Sequence, residues 1–229
     1  MSSTSTKDQE LIDFAYNHLN LNIPKGHDEY EKMISGIPYE AWNQQLQESR
    51  EEAHQSAKEY SAISYRGKSI DEFNKERHDK LTSMFGKLKS SATIEAPLSI
   101  DYGINTYIGE NFYANFNLTL LDSSIIKIGD FVEFGPNVVL CCATHPLESD
   151  ERLAADGEWS RAITVGNRVW IGSNVTVLPG VTIGDGAVIG ANSVVTRDIP
   201  SFSVSVGAPA KVKKQLKGYT GEVIADIKY

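Results

Sequence analysis

The stretch that decides the fold runs from residue 163 to residue 196 and reads ITVGNRVWIGSNVTVLPGVTIGDGAVIGANSVVT. An apolar or small residue recurs at every sixth position, and a second apolar residue follows each one after two positions. Neither a helical period of 3.6 residues nor one long amphipathic strand produces this pattern. It predicts short strands separated by corners, where Gly or Asn supplies the unusual backbone dihedrals. Glycine follows the second apolar position at Gly166, Gly172, Gly184 and Gly190.

The same period of six extends towards the N-terminus as far as residue 94, with one slip of two residues between residues 120 and 126. A break from Cys141 to Ala162 interrupts it. Stacked corners of this kind form a parallel β-helix, which buries a continuous core along its axis. The sequence therefore predicts a mainly β fold, with a β-helix over residues 91–206 and an excursion loop at 141–162. The upstream positions of the first track are Ile94, Ile100, Thr106, Phe112, Leu118, Ile126, Val132 and Val138.

Residues 1–90 have a different character, because they contain only four of the 18 glycines. Helical periodicity predicts helices over residues 8–21, 29–34 and 39–63, and Ser69 with Glu72 forms a capping box that opens a fourth helix. We expect a helical extension over residues 1–28, which could equally be mobile, and a helical domain over 29–90. A tail with a short helix is expected over 207–229.

Composition and charge exclude several classes of function. The 229 residues include 22 Lys and Arg and 30 Asp and Glu, for a formal net charge of −8. A negative surface repels phosphate backbones and anionic lipids, so we expect neither a nucleic-acid partner nor a membrane partner. The N-terminus lacks the apolar core of a signal peptide, and the two cysteines are neighbours that provide no disulfide framework. These features predict a cytoplasmic protein.

His145 is the first candidate for chemistry. It is the only one of five histidines within the β-helix region, and it lies in the long excursion, where function tends to concentrate. Pro146 restricts the backbone of His145 to extended geometry. A single imidazole suits general-base work on a hydroxyl or amine, whereas a catalytic zinc site of three imidazoles is excluded, and no catalytic metal is expected. The alternative is an ordinary packed or solvated loop histidine.

A basic cluster near the C-terminus is the second candidate. Five Lys and Arg residues lie between Arg197 and Lys217 against a single acid, Asp198. A local charge of this sign in an acidic chain predicts a phosphate site, and with a lone base it favours a phosphate-bearing acyl donor. The alternative is a solvated short helix whose charges complement its dipole.

Five separated motifs, in order, carry a resemblance to a known family. They read DYGINTYIGENFYANFN (101–117), THP (144–146), VWIGS (169–173), GANSVVTRDIP (190–200) and GAPAK (207–211). From about Glu29 to Gln215 the chain resembles the maltose and galactoside O-acetyltransferases, which belong to the left-handed β-helix, or hexapeptide-repeat, acyltransferases. The resemblance implies left-handed coils, and a homotrimer with active sites between neighbouring prisms.

The resemblance also implies roles for individual residues. His145 would be the general base that takes a proton from a sugar hydroxyl, which then attacks acetyl-CoA directly. Asn115 would stabilise the oxyanion, with the backbone N–H of Ser173 as a second candidate donor. Glu158 would lie near the acceptor and orient either His145 or a sugar hydroxyl.

Two further groups of residues are implied to bind the substrates. The sugar pocket would be lined by Asp101, Tyr113, Asn115 and Asp122. Coenzyme A would contact Trp170, Ser173, Ala191, Thr196 and Arg197, with its phosphates at Lys211 and Lys214. Sequence reasoning leaves three alternatives open: an amine or other non-sugar acceptor, a different acyl donor, and a catalytically idle trimeric scaffold or binding module.

Overall fold

The computed structural model describes residues 3–153 and 157–218, and it contains the predicted helical segment followed by a left-handed parallel β-helix. Within those residues the helices begin and end close to the predicted positions, and the predicted capping box between Ser69 and Glu72 is formed. The five helices are α1 (Gln9–His18), α2 (Asp28–Ser35), α3 (Gln44–Ala62), α4 (Ile70–Met84) and α5 (Ser149–Arg152).

The β-helix is a three-sided prism, and the chain visits its three faces in a fixed rotation. The first face contains β1 (Lys87–Leu88), β4 (Thr106–Ile108), β7 (Ile126–Ile128), β12 (Ile163–Val165) and β15 (Thr182–Ile183). The second face contains β2 (Ala92–Ile94), β5 (Phe112–Ala114), β8 (Glu133–Phe134), β13 (Trp170–Ile171), β16 (Val188–Ile189), β18 (Ser203–Val206) and β19 (Lys211–Gln215). The third face contains β3 (Leu98–Ile100), β6 (Leu118–Leu121), β9 (Val139–Cys141), β14 (Thr176–Val177) and β17 (Val194–Val195). A separate antiparallel pair is formed by β10 (Ala143–Thr144) and β11 (Trp159–Ser160).

The edge between the second and third faces is the most regular, and we call it the asparagine edge. Its corners are occupied by Asn117, Asn137, Asn174 and Asn192, whose φ angles lie between 56° and 62°. Asparagine tolerates this left-handed backbone region better than most residues. The side chains also bond to one another: Asn117 Nδ2 donates to Asn137 Oδ1 over 2.9 Å, and Asn137 Nδ2 donates to Asn174 Oδ1 over 2.8 Å. The corner residues predicted from the repeat therefore form a continuous ladder.

The edge between the third and first faces carries all the extra residues, and we call it the insertion edge. Thr164 pairs with Thr182, 18 residues on, whereas Tyr107 pairs with Lys127, 20 residues on, and Lys127 pairs with Thr164, 37 residues on. The two additional residues of each earlier coil lie in segments 102–105 and 122–125, and the excursion lies at the same edge.

This geometry corrects part of the predicted register. The slip expected once, between residues 120 and 126, also occurs one coil earlier, between β3 and β4. Ile94 therefore pairs with Ala114 and Ile100 with Leu120, so the first track was predicted two residues out of phase before Thr106. The physical reason is that a wider corner inserts residues without disturbing the parallel ladder on either side of it.

The helical segment packs against the prism at two places. At the insertion edge, the extra-corner residues Tyr102, Ile104 and Ile125 share a buried cluster with residues of α1, α2 and α3. At the N-terminal end of the prism, α3 and α4 close the core, where the Tyr60 hydroxyl donates to the Ile94 carbonyl and Arg77 Nε donates to the Tyr60 hydroxyl over 3.0 Å. The domain boundaries at residues 28, 90 and 206 stay predictions.

The tail differs from the prediction. Residues 211–215 form β19, an antiparallel partner of β18, so the short helix expected after Ala210 is wrong at these positions; residues 219–229 lie outside the described part. Without this pairing, β18 would leave an open strand edge at the end of the second face. In the part of the chain that the structure describes, no helix is both long enough and apolar enough to cross a membrane.

Candidate functional site

The excursion at the insertion edge is held in shape by a small antiparallel ribbon. Thr144 pairs with Trp159 and Ala143 with Ser160, so the start and the end of the loop lie side by side. The Ser160 hydroxyl donates to the Ser123 hydroxyl over 2.7 Å, which ties the ribbon to the body of the prism. His145 follows the first strand of this ribbon directly and is exposed to solvent. The ribbon therefore holds the backbone of His145 in place against the prism, while the side chain stays exposed to solvent.

The hydrogen bond of His145 determines which ring nitrogen is available. Its Nδ1 lies 3.2 Å from the backbone carbonyl oxygen of Gly157, which is buried. Because a carbonyl oxygen only accepts hydrogen bonds, Nδ1 must carry the hydrogen. In the neutral ring the lone pair then lies on Nε2, which is the arrangement a general base needs.

Glu158, next to Gly157, is anchored to the helical segment by Tyr39. The Tyr39 hydroxyl donates to Glu158 Oε1 over 2.7 Å, and the backbone N–H of Tyr39 donates to the Glu158 carbonyl over 3.2 Å. Burial, followed by the charge of Glu158, raises the pKa of Tyr39. The bond therefore joins a protonated phenol to a carboxylate. This pair holds Glu158 in place, and with it the neighbouring Gly157, whose carbonyl orients His145.

Asp101 lies beside the same region, between α3 and the prism. Its Oδ1 lies 3.7 Å from His54 Nε2, and burial raises the pKa of its carboxyl group. Burial also raises the pKa of the Cys141 thiol, with smaller contributions from the charges of Asp101 and Glu158. Asp101, Cys141 and Glu158 therefore all lie at the insertion edge, where β3 and β9 end and β11 begins.

The structure does not place Asp122 on a pocket surface. Its side chain has no exposed area, and its Oδ1 accepts from the backbone N–H groups of Tyr102 and Gly103 over 2.8 and 3.2 Å. Its Oδ2 accepts from the Thr106 hydroxyl over 2.9 Å. Burial raises the pKa of Asp122 to about 6. A carboxylate used in this way holds the corner at the insertion edge and cannot contact a sugar in this conformation.

A second group of predicted residues lies at the asparagine edge. Asn115, Ser173 and Ala191 all occupy corners there, in the second, fourth and fifth coils of the prism. Asn115 Oδ1 accepts from the Phe116 N–H over 2.8 Å, so the amide hydrogens on Nδ2 are the donors it can present to a ligand.

The second face carries a row of outward side chains that leads from this edge to the tail. Strand pairing places Tyr113, Glu133 and Trp170 in adjacent coils, and the row continues through two valines to Lys214 on β19. The Trp170 side chain is 56% exposed, which is unusual for an indole. The exposed Lys211 lies on the same strand as Lys214, whereas Thr196 and Arg197 follow β17 at the insertion edge.

The predicted site residues therefore fall into two groups that one chain does not bring together. His145, Glu158 and Asp101 lie at the insertion edge, whereas Asn115 and Ser173 lie at the asparagine edge, on the opposite border of the third face. Within residues 3–153 and 157–218, no group of three or more His, Cys, Asp or Glu side chains is placed to hold a metal ion.

Sequence reasoning missed three residues that shape the insertion-edge group. Tyr39 and Gly157 hold Glu158 and His145, and Arg50 donates to the Tyr102 hydroxyl over 3.0 Å. Tyr39 is separated from Glu158 by 119 positions, so no local pattern connects the two. The glycine two residues before Trp159 was visible in the sequence, but only the folded ribbon shows that its carbonyl faces His145.

Comparison with known proteins agrees with this fold. Residues 162–197 match the family profile of the bacterial transferase hexapeptide, and residues 32–89 match that of the maltose acetyltransferase hexapeptide capping motif. The chain is 42% identical to the sophorolipid acetyltransferase of Starmerella bombicola over 212 residues, which cover 91% of this chain and 81% of the relative.

Two solved structures are also similar. The maltose O-acetyltransferase from Clostridium difficile 630 is 38% identical, with a TM-score of 0.77, and the match covers 83% of this chain and 98% of that one. A galactoside acetyltransferase in complex with coenzyme A is 38% identical, with a TM-score of 0.75, and the match covers 88% of this chain and 98% of that one. The resemblance read from the five sequence motifs is thus confirmed, and the chain belongs to the hexapeptide-repeat acetyltransferases, in the family of the maltose and galactoside O-acetyltransferases.

Proposed function

We propose that this chain transfers the acetyl group of acetyl-CoA directly to a hydroxyl group of a sugar, with His145 as the general base. The observation that carries the proposal is the hydrogen bond between His145 Nδ1 and the Gly157 carbonyl, which leaves the lone pair on Nε2. The similar galactoside acetyltransferase whose structure holds coenzyme A supports the donor. The maltose, galactoside and sophorolipid acetyltransferases among its relatives support a sugar as the acceptor.

The reaction needs one proton acceptor and one site for negative charge. His145 Nε2 takes the proton of the sugar hydroxyl while the hydroxyl oxygen forms a bond to the thioester carbonyl carbon. The carbonyl electrons move to its oxygen, and they return as the carbon–sulfur bond breaks. The imidazolium of His145 then gives its proton to the departing thiolate. Such general-base catalysis is typically worth about 10²- to 10⁴-fold in rate.

Asn115 is the proposed donor to the oxyanion. Because its Oδ1 is already bonded to the Phe116 N–H, its Nδ2 is oriented before the substrate arrives. A preorganised donor of this kind stabilises charge that develops only in the transition state. The backbone N–H of Ser173, two coils further along the same edge, is the second proposed donor.

A homotrimer with sites between neighbouring chains is part of the proposal. His145 and Asn115 lie at opposite edges of the third face of one chain, so a second copy must supply one of them. If the insertion edge of one prism faces the asparagine edge of the next, every site contains both residues. Cyclic packing of this type closes on itself and leaves no unpaired edge.

The two substrates would meet between the insertion edge of one chain and the second face of its neighbour. Asp101 and Glu158, at the insertion edge, can accept hydrogen bonds from hydroxyl groups, as a sugar requires, and Tyr113, on the second face of the neighbouring chain, can donate or accept one. Trp170 and the lysines of β19 lie along the second face, where an exposed aromatic ring and cationic side chains suit coenzyme A and its phosphates. Thr196 and Arg197, at the insertion edge, would contact coenzyme A from the neighbouring chain.

We also propose a cytoplasmic location, which the free Cys141 and Cys142 support.

The test follows the release of coenzyme A with a thiol reagent, using acetyl-CoA and a panel of glucose, maltose, galactosides and glucosamine. The variants are His145→Ala and, as a matched control, His78→Ala, which changes a helical histidine far from the excursion. We expect sugar-dependent release that falls at least about 10²-fold in His145→Ala and is unchanged in His78→Ala. Equal activity in both variants would place the base elsewhere. Release that requires glucosamine and forms an amide would favour an amine acceptor, and the absence of both release and coenzyme A binding would favour a scaffold.

A further inference from the structure

A groove of about 610 Å³ lies between α3 and the third face of the prism, in the first coil of the β-helix. A volume of this size is typical of sites for small organic ligands. The groove is mainly apolar, because aliphatic side chains from the helix and from two strands form its walls. Ala62, Pro97 and Leu121 are accessible on its surface, whereas Ala57, Leu98 and Ile100 are buried beneath it.

The groove has one acidic end. Asp101 lines it there, and His54 Nε2 lies 3.7 Å from the Asp101 carboxylate. Leu121, which also lines the groove, pairs with Cys141, four residues before His145. The groove therefore ends beside the proposed acceptor site, with the Asp101 carboxylate at that end.

A ligand that fills both parts must be amphiphilic. Its head needs hydroxyl groups that bond to Asp101, while its body must bury aliphatic surface along Leu121 and Pro97, which a free monosaccharide cannot do. The occupant is a small molecule with a sugar head and a hydrocarbon tail.

We propose that this groove binds the aliphatic chain of a sugar acceptor that carries one, such as an alkyl glycoside or glycolipid, with the sugar at the Asp101 end. This inference rests on the proposed function, since it extends the acceptor side of the same site. The chain belongs to the acceptor rather than to the acyl donor because Trp170 and the lysines of β19 lie on the second face, away from the groove.

The test uses a series of β-glucosides from methyl to octyl, below the concentration at which they form micelles, with acetyl-CoA as the donor. Complete burial of one methylene group would improve binding about fourfold. Because the groove is open on one side, we expect about twofold per methylene, chiefly as a fall in KM. From methyl to octyl, which adds seven methylenes, kcat/KM should therefore rise about 100-fold.

Ser99→Trp is the variant that fills the groove. Ser99 is an exposed strand residue that lines it, so a larger side chain can be placed there without disturbing the core. Thr182→Trp is the matched control, because Thr182 is also an exposed, hydroxyl-bearing strand residue, but on the first face. We expect Ser99→Trp to act on methyl glucoside at the wild-type rate and to lose the gain with chain length, which Thr182→Trp should keep.

Calorimetric binding of octyl and methyl glucoside separates this inference from the proposed function, since it needs no turnover. Tighter binding of the octyl compound that disappears in Ser99→Trp would support the groove even if no sugar were acetylated. Acetylation of methyl glucoside without any effect of chain length would overturn the groove while leaving the proposed function in place. A chain-length effect that appears with hexanoyl-CoA in place of acetyl-CoA, and is lost in Ser99→Trp, would assign the groove to the donor and overturn the proposal.

Discussion

The asparagine edge and the insertion edge solve the same problem, turning the chain between two faces, by opposite means. At the asparagine edge the corners at Asn117, Asn137, Asn174 and Asn192 each use one residue at positive φ, and consecutive asparagines bond to one another. At the insertion edge the corners differ in length, and a buried carboxylate, Asp122, takes the place of the ladder. Regularity at one edge is therefore compatible with wide variation at the other, because the strands between them keep their register.

The difference also separates two kinds of function. The regular edge carries Asn115 and Ser173, which lie at successive corner positions of different coils, since Asn115 is in register with Gly172 and Ser173 with Phe116. The variable edge carries His145 and the contacts with the helical segment, which depend on one particular loop. We infer that the regular edge suits a donor that is common to a family, and the variable edge suits an acceptor that differs between its members.

The largest effect on activity is expected for variants of the two edges, tested alone and then combined in mixed trimers. Asn115→Ala and His145→Ala should each lower kcat by at least about 10²-fold, because one removes the proposed oxyanion donor and the other the proposed base. When the two inactive variants are unfolded and refolded together, mixed trimers should recover up to about a quarter of the wild-type activity, since one site in four receives both intact residues. The measurement is coenzyme A release after mixing. Activity that stays at the level of the single variants would place both residues of each site on one chain.

The next effect concerns the carboxylate at the insertion edge. Asp122→Ala leaves two backbone N–H groups and the Thr106 hydroxyl without their acceptor, and it should lower the free energy of unfolding by about 3 kcal/mol. Asp122→Asn keeps an acceptor oxygen for the two N–H groups and removes a buried charge, so it should be at least as stable as the wild type near pH 7.5. Urea unfolding monitored by circular dichroism measures both.

The pH dependence of the same variants tests the charge directly. The pKa of Asp122 is about 6 in the folded chain and about 4 in an unfolded one. Between these values only the folded state holds the proton, so the free energy of unfolding falls as the pH rises from about 4 to 6. Asp122→Asn should lack this part of the fall, whereas Asp198→Asn, which changes a surface carboxylate, should retain it. Identical slopes in the wild type and Asp122→Asn would contradict a raised pKa.

A smaller effect is expected at the asparagine edge. Asn137→Ala places a Cβ at a φ of 60° without the side chain that bonds to Asn117 and Asn174, and it should cost about 1–2 kcal/mol of stability. Asn137→Gly keeps the backbone conformation free of strain and should cost less than half as much. The comparison uses urea midpoints, with kcat per folded enzyme unchanged in both. If the two variants were equally stable, the positive φ would not be what selects asparagine here.

How far the sequence predicts the molecule follows the same division between edges. The period of six predicts the faces and the asparagine corners, because the shape of each corner depends only on the backbone dihedrals of the residues in it. It does not predict the first wide corner, since Ile100 and Thr106 are also six residues apart and satisfy the pattern by coincidence. Two residues in the sequence signalled the wide corner: Gly103, which has a φ of 68° in the structure, and Ile104, an apolar residue outside both tracks.

The site was predictable where it follows a motif and not where it depends on distant pairing. His145 is marked by its place in the excursion, but its contact with Gly157 exists only because two short strands pair across a loop. Asp122 was expected to face a sugar because the family resemblance implies it, whereas its neighbours in space enclose it completely. In the tail, short lysine-rich segments have no strong preference of their own, so the exposed edge of β18 decides that β19 is a strand.

The parallel ladders have a consequence for ligands that extend along the prism axis. Neighbouring coils are separated by about 4.8 Å, whatever the number of residues between equivalent positions. The corners at Phe116, Pro136, Ser173 and Ala191 therefore rise in equal steps, although 37 residues separate the middle two and only 18 the last two. A long, narrow molecule bound along this edge would meet its contacts at constant spacing over roughly 14 Å. Loops of any length can then be exchanged at the opposite border without altering that spacing.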